Sequence, residues 1–142
     1  MTEAHQASEK FTWPVRVYWE DTDAGGIVFY ANYLKFFERA RTEWLRSRGI
    51  EQRALVESTG GMFVVSEAQI RYLKPARLDD ELIVTAWPLE AGRASMTIQQ
   101  QVFLKTPTGT HLLCEGTIRA GWVNAVTHKP ARIPPTVLEA LK

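Results

Sequence analysis

The sequence predicts an α+β domain in which one long helix lies across a five-stranded antiparallel sheet. Three observations carry that expectation. A strand-like alternation near the N-terminus gives way to one long helical stripe. Four further strand-like runs come after it. Most of these are joined by tight turns, which require antiparallel neighbours. The 142 residues fit a single domain spanning 1–142, with the first ten residues expected to be a frayed lead-in.

"WPVRVYWE" (13–20) places Val15, Val17 and Trp19 on one face and Arg16, Tyr18 and Glu20 on the other, the pattern of a half-buried strand. After a loop at 21–29 the period changes. Tyr33, Phe36, Phe37, Ala40 and Trp44 fall at i, i+3, i+4, i+7 and i+11, one stripe of an α-helix of about five turns. Asn32 is placed to cap its start, and Gly49 stands just past its end. In "MFVVSEAQIRYL" (62–73), Val64, Ala68, Ile70 and Tyr72 are expected to share a face. "KPARLDD" is a break, and "ELIVTAWPL" (81–89) is the next run. "EAGR" (90–93) turns into "ASMTIQQQVFL", where Met96, Ile98, Val102 and Leu104 alternate with mostly polar neighbours. "TPTGT" (106–110) is a second turn. "HLLCEGTIRAGWVN" then puts Leu112, Cys114, Ile118, Ala120 and Trp122 on one side. Pro134 and Pro135 close the sheet region, and "TVLEALK" forms a short terminal helix. One helix cannot cover a five-stranded sheet, so the remaining apolar edge predicts a homodimer.

Composition narrows the function. With 17 basic against 16 acidic side chains and a net charge of +1, the chain lacks the basic excess of a dedicated nucleic-acid binder. Its one cysteine, Cys114, allows no intrachain disulfide and no Cys-rich metal site, which fits a reducing, cytoplasmic setting. Lying in an apolar run, Cys114 reads as a buried structural thiol. "MTEAHQASEK" is not a signal peptide, and no run reaches the roughly 18 apolar residues of a membrane span.

The chemistry is concentrated in "EDTDAGGIVFYANY" (20–33). Three readings compete. Glu20, Asp21 and Asp23 could simply favour the positive end of the adjoining helix. Asp21 and Asp23 have the D-x-D spacing that opens a calcium loop, but Gly25 and Asn32 stand where further ligands are needed. No His pattern supplies a zinc site either, so no metal is expected. Thirdly, a carboxylate on a glycine loop before a helix start offers a base or nucleophile beside unpaired backbone N–H groups. Such a site suits a thioester, because a thiol ionises near pKa 8.5 and leaves readily.

"VRVYWEDTDAGGIVFYANYLKFFERARTEWL", continued by "YLKPARLDDEL" (72–82), closely resembles the signature of hotdog-fold thioesterases of the 4-hydroxybenzoyl-CoA thioesterase family. The nearest branch looks like the acyl-CoA thioesterases associated with the bacterial Tol-Pal system. The likeness covers nearly the whole chain. It implies the hotdog fold (β-α-β-β-β-β), a homodimer or homotetramer with the site at the subunit interface, an acyl-CoA or acyl-carrier-protein substrate, and no cofactor.

By that resemblance Asp23 is the catalytic carboxylate, attacking the carbonyl or activating a water. Tyr30 holds the position whose backbone N–H polarises the thioester. The close branch often has His there, but any non-proline residue supplies the amide. Asp21 is expected to hold the loop. Glu38 is a second-choice base, or else a partner of Arg41 or another Arg on the helix surface. Arg93 matches a basic family position that contacts the CoA phosphates, with Lys74 and Arg77 as further cations. Gly26 gives the substrate close access, and Phe29, Tyr33 and Phe63 are candidates to line an acyl slot. The alternatives are a hotdog hydratase or dehydratase, which usually needs a His base at the helix start, and a non-catalytic CoA- or acyl-carrier-binding module.

Overall fold

A computed structural model describes residues 10–142; the rest of the expected lead-in lies outside the described residues. The strands are β1 (Phe11–Arg16), β2 (Gly61–Tyr72), β3 (Glu81–Ala91), β4 (Ser95–Thr106) and β5 (Gly109–Asn124). The helices are α1 (Tyr33–Ser47), α2 (Gln52–Thr59) and α3 (Pro135–Ala140). The five strands form one sheet in the order β1-β3-β4-β5-β2, every pair antiparallel. This is the expected hotdog arrangement of an antiparallel sheet wrapped on a long helix.

The predicted stripe is the buried face of α1. Tyr33, Phe36, Phe37, Ala40 and Trp44 are all buried. They join Val15, Val17, Val84, Val102 and Ile118 in one cluster, and Met96, Ile98, Trp122 and Ile133 in a second. Gly49 has φ +79° just beyond the helix, the left-handed turn that ends it. At 15 residues the helix is nearer four turns than five. Asn32 does not cap it: the Asn32 amide donates to Asp21 instead.

Three further expectations are corrected, and one element is new. Trp19 is not on the inner face of β1. The strand ends at Arg16, and Trp19 sits exposed in a 3-10 turn at Trp19–Asp21. In β2 a bulge between Val65 and Glu67 reverses the side-chain alternation, so Val64 opposes Gly121 while Ala68 opposes the buried Ile118. A second bulge at the β4–β5 ladder buries Leu113 in place of Leu112. Each bulge adds one unpaired residue and flips the side chains beyond it. Finally, α2 has no counterpart in the sequence reading. It buries no side chain and therefore leaves no stripe to find.

The sheet has two edges. β1 is short, with six residues. β2 is long, with twelve, and it leaves Val64, Val65 and Tyr72 exposed. The helix α1 packs on β1 and β3, so the β2 side is the one it leaves open.

Candidate active site

The acidic loop is a small hairpin. Thr22 and Val28 form a bridge, the Asp23 N–H donates to Ile27 O at 2.9 Å, and the Gly26 N–H closes a turn onto Asp23 O at 3.0 Å. Gly26 has φ +80°, a conformation open mainly to glycine. The Asp23 carboxylate is exposed at the head of this turn. Its Oδ1 accepts from the Gly25 N–H at 2.8 Å, the side-chain-to-backbone turn that favours Asp. Among the described residues its second oxygen has no partner.

Asp21, two residues earlier, is the buried anchor of the hairpin, 3% exposed. Its Oδ2 accepts from the Tyr18 N–H and its Oδ1 from Asn32 Nδ2, both at 2.9 Å. Its carbonyl accepts from the Phe29 N–H at 3.1 Å. One residue thus ties the end of β1 and the first turn of the helix through its carboxylate and the return arm of the hairpin through its carbonyl. Sequence reasoning missed Asn32 in this role because an Asn before a helix reads as a cap.

Tyr30 opens a 3-10 turn, Tyr30–Asn32, which runs directly into α1. Among the described residues no carbonyl or side chain accepts from the Tyr30 N–H. It is one of the orphan donors expected at a helix start. Asp23 lies level with Ile27 in the hairpin, and Tyr30 comes three residues later. The two therefore sit at opposite ends of one short arm. The exposed Phe29 ring packs on Tyr30 at a 4.8 Å centroid distance.

The loop between β2 and β3 holds this arm in place. Val28 N–H donates to Ala76 O at 2.9 Å, and Ile27 bridges Arg77. Tyr72 Oη donates to Tyr30 O at 2.7 Å, and Tyr33 Oη accepts from the buried Ala76 N–H at 3.0 Å. Burial holds the Tyr33 phenol above its ordinary pKa, opposed by that hydrogen bond. Tyr33 is thereby a core and bracing residue, only 2% exposed. The sequence places Tyr72 on a strand face but gives neither its bond to Tyr30 nor the role of the Ala76 amide; a hydroxyl reaching a backbone group leaves no local pattern.

Within one chain, Asp23, Gly26, Phe29 and Tyr30 gather at one end of the sheet, with Arg77 and Lys74 exposed on the neighbouring loop. Phe63 does not join them. It stands near the start of β2, its ring 4.9 Å from Trp122, whereas Tyr72 at the far end of the strand touches Tyr30. Nine residues of strand separate these ends, roughly 30 Å. Arg93 is likewise distant, in the turn from β3 to β4, where its carbonyl accepts from the Ile133 N–H. Glu38 lies part-way along α1 and accepts from Thr42 Oγ1 at 3.0 Å. Its expected partner, Arg41, donates instead to Gln100. Among the described residues, no group of three or more His, Cys, Asp or Glu side chains could hold a metal, and no helix is long and apolar enough to cross a membrane. Cys114 is buried, and burial raises its thiol to about 12.

The thioesterase superfamily model matches residues 25–110, which is more than half of the chain. This chain belongs to the thioesterase superfamily. It is a thioester hydrolase. The acyl-CoA thioesterase YbgC of Haemophilus influenzae is 41% identical over 130 residues, spanning 92% of this chain and 93% of its own. The acyl-CoA thioester hydrolase YbgC of Escherichia coli is 39% identical over 132 residues, spanning 93% and 96%. Among solved structures, a hypothetical protein from Aquifex aeolicus superposes with a TM-score of 0.80 at 32% identity, covering 93% of this chain and 99% of its own. The 4-hydroxybenzoyl CoA thioesterase from Pseudomonas sp. strain CBS-3 does so with 0.84 at 22%, covering 92% and 98%; at that identity the thioesterase fold is what the two share.

Proposed function

We propose that this thioesterase hydrolyses acyl-CoA to the free acid and CoA, with Asp23 as the reacting carboxylate and the Tyr30 N–H as the oxyanion donor. The observation that carries this is a pairing on one braced loop: an exposed carboxylate with a free oxygen and a helix-start amide with no acceptor. The substrate carbonyl oxygen accepts from Tyr30 N–H, where the positive end of α1 adds to the field. Asp23 then either adds to the carbonyl carbon or takes a proton from an attacking water. In the first course the tetrahedral adduct collapses to a mixed anhydride and expels the CoA thiolate. Water then hydrolyses the anhydride and regenerates the carboxylate. In the second the water oxygen is transferred directly, the C–S bond breaks, and the departing CoA thiolate takes up the proton held by Asp23, which restores the carboxylate. Neither course calls for a metal or redox cofactor.

The site is completed by a second copy in this proposal. Pairing of the free β2 edge with its own copy would be antiparallel and two-fold, since the interface would be isologous. The Phe63 end of one protomer would then meet the Tyr72 and Tyr30 end of the other. This accounts for candidates that are remote within one chain: Phe63 and Glu38 would serve the neighbouring site. Lys74, Arg77 and Arg93 are the cations offered to the CoA phosphates, or to an acyl-carrier protein in its place. The resemblance to the Tol-Pal-associated branch supports a role beside that system, and the lone buried thiol fits the reducing cytoplasm.

The test is release of CoA thiol from a panel of acyl-CoAs by the wild type and Asp23→Asn. Hydrolysis by the wild type, with a loss of about a thousandfold or more in kcat for the variant and retained substrate binding, is expected. CoA binding without hydrolysis by either protein would favour the binding module and overturn the catalytic reading.

A further inference from the structure

Between α1 and β2 lies a cleft whose lining includes two charged side chains, Glu38 and Arg41. Glu38, Arg41 and Leu45 share one flank of α1 at the spacing of one helix face, with Leu45 buried in the second core cluster. Glu38, Arg41 and Leu45 line the narrow end chamber of the cleft with Phe63 and Val65 of β2, over a floor of Met96, Ile98 and Ala120. The chamber is about 60 Å³, room for the end of a chain and not for its length.

Arg41 is held there by design of the core beneath it. Gln100 is fully buried and points inward between Ile98 and Val102. Its Nε2 donates to Phe37 O at 2.9 Å and to Thr85 O at 3.2 Å. With both amide hydrogens on carbonyls, Oε1 must face Arg41, whose Nη1 donates to it at 3.0 Å. The guanidinium is therefore aimed by a neutral amide. Among the described residues no carboxylate lies within ion-pair distance of it. The nearest acid, Glu38, is engaged by Thr42. Burial presses the Arg41 pKa down and Glu38 only partly offsets this. A half-buried cation with open donors, near one acid but in no direct ion pair, is a poor structural choice at a position where an apolar side chain would pack. It is a good device for receiving a carboxylate, which a guanidinium binds through two parallel hydrogen bonds.

We propose that Arg41, set by Gln100, is a specificity-determining residue that receives the distal carboxylate of an ω-carboxyacyl group, so that monothioesters of dicarboxylic acids are preferred over aliphatic acyl groups of equal length. This rests on the acyl-CoA reading above and on the two-fold pairing, which sets the chamber of one protomer against the Tyr30 amide of its partner. The test compares succinyl-, glutaryl- and adipoyl-CoA with butyryl-, pentanoyl- and hexanoyl-CoA, using the wild type, Arg41→Met and Arg41→Lys. Folding is checked by melting temperature and assembly by solution mass. The wild type is expected to favour one dicarboxyl substrate over its aliphatic match in kcat/KM. Arg41→Met should lower that ratio on the order of ten- to a hundredfold, the loss of a charge-assisted pair, with Arg41→Lys in between. A ratio that does not move while hydrolysis persists would overturn the proposal. So would a change in mass with an unchanged ratio, which would assign Arg41 to a carboxylate of the second copy. Failure of every substrate with the wild type would instead overturn the underlying thioesterase reading.

Discussion

Replacing Asp21 by Ala removes the carboxylate that joins the end of β1 to the helix start. Two charge-assisted bonds are lost, from the Tyr18 N–H and from Asn32 Nδ2. The first donor sits beside exposed residues and can turn to water. The second is on Asn32, only 6% exposed, and is left without an acceptor. Bonds to charged groups contribute about 1.5–3 kcal/mol each, and a stranded buried donor costs about 1–3 kcal/mol. With one of the two donors rescued by water, the net cost is about 3 kcal/mol. For a domain of this size that lowers the melting temperature by roughly 10 °C. Asp21→Asn should be little better, because both facing groups are donors and the new amide can accept from only one. The assay is thermal unfolding by circular dichroism, alongside kcat for an acyl-CoA that the wild type turns over. Activity should fall in both variants even at temperatures where they are folded, since Asp23 and Tyr30 are carried on the arms that Asp21 joins. A shift of less than about 3 °C, with turnover unchanged, would show that the hairpin keeps its shape without this anchor.

Two further outcomes are expected from the same packing. Tyr33→Phe deletes the acceptor for the buried Ala76 N–H, so it should cost about 1–3 kcal/mol in denaturant unfolding, whereas Phe29→Leu, on an exposed ring, should cost far less. The Cys114 thiol is raised from an ordinary value near 9 to about 12, which means that folding favours the protonated form. Its contribution to stability is fully present below pH 9 and fades as pH climbs from 9 toward 12. At pH 8 only about one thiol in ten thousand is ionised. A disulfide reagent should therefore leave the native protein unlabelled and modify one thiol per chain in urea; rapid native labelling would contradict the burial.

What the sequence reveals and hides here has physical causes. The stripe Tyr33 to Trp44 is legible because a single face of α1 is buried, which imposes the helical period on the residues. The β3 and β4 faces are legible for the equivalent reason at period two. The two bulges are not, since one added residue at Ser66 or Leu113 costs the sequence nothing visible yet inverts every side chain beyond it. Trp19 misleads because the alternation outlasts the pairing: the chain leaves the sheet at Val17 while its residues still read as strand. Asp23 and Tyr30 stand out through the motif around them. Asn32 and Tyr72 do not, because their work is hydrogen bonding to a carboxylate and a carbonyl fixed by the fold. Gln100 carried a usable signal, being the one amide at an inward position between Ile98 and Val102.

The most direct test is a crystal structure of Asp23→Asn with an intact acyl-CoA bound. The thioester oxygen should lie within about 3.1 Å of the Tyr30 nitrogen, with residue 23 facing the carbonyl carbon and the acyl group entering the chamber beside Phe63 of a second copy. A thioester bound with its carbonyl turned from that amide, or beyond reach of residue 23 in either copy, would contradict the proposed chemistry.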